Sequence, residues 1–156
     1  MSTSQLSRPM IGVGVLVWRD KQLLLGKRFV KGDQSCWQFP GGHLENGESV
    51  TDCARREVLE ETSLKIKTIR HLGFTDKTFA VGSRRYITLL VSSDYDSGEA
   101  KTLEPDKCEL WQWFDYQQLP EPLFKPITIF LSQAIVSQQD DLYALHCASR
   151  KIPVTL

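Results

Sequence analysis

Residues 41–64 read GGHLENGESVTDCARREVLEETSL, and the placing of glycines, acids and aliphatics in this stretch decides how the rest of the chain is read. Ser49 is a helix-capping residue with an acid, Asp52, three positions later, so a helix is expected to begin there. Each following residue turns about 100° further round the axis. On that wheel Val50, Ala54 and Val58 form one stripe with Cys53 on its border, Glu57 and Glu61 fall inside the stripe, and Glu60 lies beside them. Arg55 and Leu59 take the opposite side. A surface helix normally turns its acids outward and its leucine inward, and this one reverses the arrangement.

Carboxylates near a packed face need a cation, because an ionised group desolvated without a partner is costly or becomes protonated. Hard divalent ions take oxygen ligands and complete their shell with water and substrate phosphates. Glutamates at i, i+3 and i+4 spacing suit such an ion. Arg56 is the internal counter-charge, and a metal-free Arg–carboxylate network stands as the other reading of the same spacing. Upstream, FPGGHLENGE places Pro40, Gly41, Gly42 and Gly47 in a tight loop that permits close backbone approach to a ligand.

Outward from this centre, IGVGVLVWRDKQLLLGKR reads as two strands around a turn at Arg19, Asp20 and Lys21. Residues 65–75 alternate as a strand, TDKTFAVGSRR reads as a loop, YITLLVS as a buried strand, and ELWQWF as another before a short helical turn at YQQLP. Ile127, Phe130, Leu131, Ala134 and Ile135 recur at i, i+3, i+4, i+7 and i+8, a second long helix. Residues 1–9 are expected to be a flexible leader, residues 10–156 a single domain, and DLYALHCASRKIPVTL an extra strand or a contact between subunits. Strands flanked by two helices give an α/β/α sandwich.

The chain has 156 residues, enough for one core, with 41% hydrophobic residues and no long apolar span or signal peptide. Nineteen basic residues balance nineteen acidic ones, so no membrane or polymeric nucleic-acid footprint is expected and a small nucleotide is the better partner. The cysteines at 36, 53, 108 and 147 lack CxxC spacing and read as reduced core thiols of a cytoplasmic protein.

Taken together, residues 42–64 resemble the Nudix box, GX5EX7REUXEEXGU with U a bulky aliphatic: Gly42, Glu48, Arg56, Glu57, Val58, Glu60, Glu61 and Leu64 stand in register, and Ser63 replaces the last glycine. The resemblance implies the Nudix fold, with a mixed β-sheet between helices, and metal-dependent hydrolysis of a nucleoside diphosphate linked to another group. It implies Mg2+, with Mn2+ as an alternative. Glu57 and Glu61 then resemble metal ligands, Glu60 a further ligand or water-activating base, the Gly41 carbonyl another metal contact, Arg56 the residue that orients them, and Glu48 a structural partner. A carboxylate from outside the helix completes such a site, and Glu109, beside a strand, is preferred to Glu104.

The flanks GVGVLV, LLLGKR, WQFPGGHLENGES and EPDKCELWQWF look similar to the MutT-like nucleotide triphosphate diphosphatases that accept dGTP, GTP and thiopurine triphosphates. By that resemblance Arg28 and His43 contact phosphates, Gln38 and Thr88 lie along the nucleotide pocket, Ile127 is near the base, and a homodimer is expected. Thr88 and Ile127 equally suit plain strand and core positions. Trp37, Trp111 and Trp113 are either core aromatics or base-stacking groups. A nucleoside triphosphate pyrophosphohydrolase leads, with a nucleotide-sugar hydrolase of the GDP-mannose kind and a noncatalytic nucleotide sensor as alternatives.

Overall fold

The computed structural model describes residues 8–29, 35–78, 84–133 and 139–149. In chain order the elements are β1 (Met10–Arg19), β2 (Gln22–Arg28), β3 (Cys36–Gln38), β4 (Gly41–His43), α1 (Val50–Thr62), β5 (Lys65–Thr78), β6 (Arg85–Ser97), β7 (Cys108–Asp115), α2 (Lys125–Gln133) and α3 (Gln139–Ser149). The strands form one sheet in the order β3-β2-β1-β6-β5, with β4 added to β1 and β7 to β2. The β1–β6 pair is parallel, from Met10↔Tyr86 to Trp18↔Asp94, and the other pairs are antiparallel, so the sheet is mixed.

The period-two pattern of β1 divides the core. Val13, Val15 and Val17 point to one face, where they meet Ala54 and Val58 of α1. Leu16 and Trp18 point to the other, against Ile127 and Phe130 of α2 and Leu142 of α3. The result is the α/β/α sandwich expected from the sequence.

Three expectations are corrected and a fourth falls partly outside the described residues. Thr75–Thr78, read as the start of a loop, continue β5, which pairs with β6 as far as Thr78↔Arg85. At YQQLP there is a hydrogen-bonded turn, Gln118 N to Asp115 O at 2.9 Å, rather than a helical one. The tail from Asp141 to Ser149 is helical, not a strand, and buries Leu142, His146 and Ser149 within its own chain. Two of those three positions are polar, so the helical period is hidden from an apolar count; His146 stacks on Trp18 at 4.7 Å. Finally, α2 is described only to Gln133, and Ala134, Ile135 and residues 1–7 and 150–156 lie outside the described residues.

Ser49 caps α1 as its sequence suggests, accepting from the Asp52 amide at 3.1 Å. At the other end Ser63 has φ 68° and ψ 5°, and its N–H closes on Leu59 O at 3.0 Å. This left-handed cap is the conformation glycine adopts freely and a residue with a Cβ resists. Ser63→Gly is therefore expected to stabilise the fold by about 1 kcal/mol. A thermal melt should rise by roughly 2–4 °C for a chain of this size, and an unchanged or lower midpoint would refute the strain.

Candidate active site

Two glycines explain how a strand can lie across the acidic helix. The Gly41 amide donates to Glu61 Oε1 at 2.9 Å. A Cβ on Gly41 would overlap Val13 O, and one on Gly42 would overlap the Glu57 carboxylate. Gly42→Ala should thus leave β4 in place yet push Glu57 aside, lowering kcat about tenfold, whereas kcat within twofold of wild type would show that the carboxylate's position is immaterial.

The helix wheel is realised as read. Glu61 is buried at 8% exposure, Glu57 is half-buried, Glu60 is exposed, and Leu59 points outward. Burial pushes the Glu61 carboxyl up to about 8, reinforced by the neighbouring Glu57 and Glu104 charges and opposed by the Gly41 amide and Lys107. Arg56 ties the remaining acids together. Its Nε and Nη2 grip both oxygens of Glu48 at 3.0 and 2.7 Å, while Nη1 donates to Glu57 Oε1 at 2.9 Å and Glu60 Oε2 at 3.3 Å. Nη2 also donates to His43 O at 3.2 Å. The paired Arg56 guanidinium, with the Glu45 amide, holds the Glu48 carboxyl down to about 2.

One cleft of about 880 Å³ gathers most of the sequence-singled residues: Gly41, Glu57 and Glu61 on one wall, and Arg28, Gln38, His43, Thr88 and Ile127 around it. Arg28 donates to Gln38 Oε1 at 3.3 Å and lies 4.7 Å over the Phe124 ring. Glu60 and Arg56 stand outside the lining. Of the two acids weighed as the outside carboxylate, Glu109 is not among the residues that line the cleft and pairs with Lys27 at 3.4 Å, whereas Glu104 lines the cleft and raises the Glu61 carboxyl. Glu104 precedes Pro105 in a loop that is fastened to the end of α1 through Lys101 N to Thr62 O at 2.9 Å and Leu103 N to Glu61 O at 3.4 Å.

Trp37 packs edge-on to Phe114, Trp111 packs against the α1-side core, and Trp113 receives Arg19 at 4.1 Å, so all three indoles are spent on packing. The cleft's aromatics are instead Phe29, Phe39, Tyr86 and Phe124, and Arg84, Asp106 and Lys107 add charge. None of these carried a sequence signal except by position beside the strands that form the cleft. All four cysteines are free, with burial raising the Cys53 thiol to about 12 and Cys108 to about 11.

Among the described residues, no three His, Cys, Asp or Glu side chains close round a single point; Glu57 is bonded to Arg56 and Glu61 to the Gly41 amide. The donor set nonetheless fits a hard cation. Five carboxylates, Glu45, Glu57, Glu61, Glu104 and Asp106, line one cleft, and Glu61 among them has its carboxyl raised by burial first and by the Glu57 and Glu104 charges beside it.

A NUDIX domain model matches residues 8–133. The chain is similar to the NAD-capped RNA hydrolase NudC of Vibrio parahaemolyticus, 37% identical over 108 residues that span 68% of this chain and 38% of that protein. It is also similar to the oxidized purine nucleoside triphosphate hydrolase of Mus musculus, 32% identical over 124 residues, covering 77% of this chain and 72% of that protein. The chain spans less than half the length of the NudC proteins it matches, 38%, 48% and 43% in three of them. Among solved structures, a MutT NUDIX hydrolase from Burkholderia pseudomallei superimposes with a TM-score of 0.73 at 31% identity, over 81% of this chain and 98% of that one. Among the described residues no helix is long and apolar enough to cross a membrane.

Proposed function

Since the chain belongs to the NUDIX family, we propose that it hydrolyses nucleoside triphosphates, purine ones first, to the monophosphate and pyrophosphate by attack of water on phosphorus. The observation that carries this reading is the shared cleft. Glu57, Glu61 and Glu104 line it together with Arg28, His43, Arg84 and Lys107, the last paired with Glu104 at 2.9 Å, and these positive or hydrogen-bonding groups suit a polyphosphate.

Glu57, Glu61 and Glu104 would hold a divalent cation, Mg2+ or Mn2+, which when bound offsets phosphate charge and lowers the pKa of a coordinated water. Arg56 keeps Glu57 in place through Nη1 and fixes the loop before α1 through Glu48 and His43 O. Arg28, braced by Gln38 and Phe124, presents its guanidinium to the phosphates. The carboxylate that takes the proton of the attacking water is one lining the cleft, Glu61 or Glu104. These two stand ahead of Glu60, whose Oε2 accepts from Arg56 Nη1 at 3.3 Å and which is not among the lining residues.

The match to the mouse triphosphate hydrolase, 32% identical over 77% of this chain, supports the triphosphate reading. The higher identity to NudC, 37%, favours a second reading, cleavage of the diphosphate of a dinucleotide such as NAD.

The test is product analysis with dGTP, 8-oxo-dGTP, dCTP, NAD and GDP-mannose, with Mg2+ and with EDTA. Monophosphate plus pyrophosphate from the purine triphosphates, lost in EDTA, is the expected result. Turnover of NAD alone would install the second reading, GDP-mannose alone the sugar hydrolase, and binding without any turnover the sensor.

A further inference from the structure

Two residues on the cleft side of the sheet have no structural reason to be what they are. Gly12 of β1 is the first. It lies inside a strand, where glycine weakens the ladder and normally marks a bulge, a bend or a close approach. The β1–β6 register runs through Gly12 without a bulge, and Gly12 is not among the glycines with positive φ. A Cβ built there would meet nothing nearer than Thr88 Oγ1 at 3.8 Å and Gly42 O at 3.9 Å, ordinary contact distances. Gly14, two residues on, is different, since its Cβ would meet Leu90 Cδ2 at 2.8 Å. Gly12 lines the cleft, so the space its missing side chain leaves is cleft space.

Thr75 of β5 is the second. It is 1% exposed, and its Oγ1 is buried without a hydrogen-bond partner. Buried hydroxyls are ordinarily paired, and one that is not calls for an explanation. The register joins these two anomalies: Gly12 is opposite Thr88, and Thr88 is opposite Thr75. Directly opposed residues share a face, with Cβ atoms about 4.5–5.5 Å apart. Thr88 itself lines the cleft. A bare backbone, a hydroxyl at the surface of the cleft and a second hydroxyl buried behind it therefore form one straight row across β1, β6 and β5.

We propose that this row is the subsite that selects a two-ring base: the flat purine lies over the bare backbone at Gly12, and Thr75 is a positioning residue that donates to Thr88 so that the Thr88 hydroxyl meets the polar edge of the ring. A methyl group at Gly12 would lift the larger ring system off the floor while a one-ring base could shift aside. Thr75 Oγ1 has no partner in the structure, Thr88 included, so on this proposal the bond forms when Thr88 turns to meet the ligand.

The inference rests on the nucleotide reading of the cleft, and its test separates the two. Binding of GMP and of CMP is measured by calorimetry in EDTA for the full chain and for Gly12→Ala, Thr75→Val and Thr75→Ser, with thermal melts of each. Gly12→Ala and Thr75→Val should melt at or above the wild-type midpoint. Gly12→Ala should weaken GMP at least tenfold and CMP less than threefold. Thr75→Val should weaken GMP roughly three- to tenfold, with Thr75→Ser restored to wild type. Equal GMP affinity in both variants, or a Gly12→Ala chain that fails to fold, overturns the row and leaves the nucleotide reading standing. A wild-type chain that binds neither monophosphate overturns both.

Discussion

Glu61→Gln is expected to lower kcat by roughly a thousandfold, the scale of a lost metal or acid–base contribution, while making the metal-free protein more resistant to heat at pH 8. The two effects share one cause. Glu61 is buried at 8% exposure with Glu57 and Glu104 nearby, and its carboxyl is raised from 4.5 to about 8. A carboxyl raised on folding favours the protonated form, so its contribution to stability is complete below pH 4.5 and is lost as pH climbs through 8. Glutamine stays neutral and keeps an oxygen to accept from the Gly41 amide, now at 2.9 Å from Glu61. In EDTA the variant should therefore melt with wild type at pH 4.5 and above it at pH 8.5, by roughly 4–12 °C for a difference of about 2–3 kcal/mol. Identical melts at both pH values would contradict the buried, charge-crowded environment. A kcat within tenfold of wild type would remove Glu61 from the chemistry.

That pairing of effects shows why the site could be read from the sequence at all. Spacing placed Glu57 and Glu61 on the packed side of α1 and Leu59 on the wet side, and the structure agrees because a helix wheel depends only on local geometry. The strands from Met10 to Arg28 and the capping Ser49 were legible for the same reason. Long-range geometry was not. Standing beside a strand, the local feature that favours Glu109, does not decide which acid lines the cleft; Glu104 does, in a loop tied to the far end of α1 by backbone bonds from Lys101 and Leu103. The extension of β5 past Thr75 is likewise a product of pairing with β6 rather than of its own composition. The α3 helix escaped because the residues it buries include His146 and Ser149, which an apolar period cannot register. Tyr86 and Phe124 join the cleft only once β6 and α2 are folded against the glycine-lined strand, so their part in the site belongs to tertiary structure alone.

Arg56→Lys, by charge a conservative change, should lower kcat by up to about a hundredfold, the range found when a residue that orients metal ligands is lost. Arg56 bridges partners that a lysine cannot reach together. Two of its nitrogens take both oxygens of Glu48, a third takes Glu57 and Glu60, and the Nη2 that holds Glu48 also holds His43 O. A planar guanidinium presents five donors in a fixed fork, whereas an ammonium is a compact charge on a flexible stem. Lysine can satisfy either Glu48 or Glu57. In the first case Glu57 loses the bond that sets its rotamer under Gly42, and in the second the loop from His43 to Glu48 loses its tie to α1. Both outcomes misplace a carboxylate by an amount small for the fold and large for catalysis. The melt should accordingly fall by only a few degrees while the Mg2+ concentration giving half-maximal rate rises severalfold. Those readings separate positioning from general damage. A variant with a collapsed melt and an unchanged metal requirement would make Arg56 a structural brace, and one with wild-type kcat would mean that Glu57 holds its place without help.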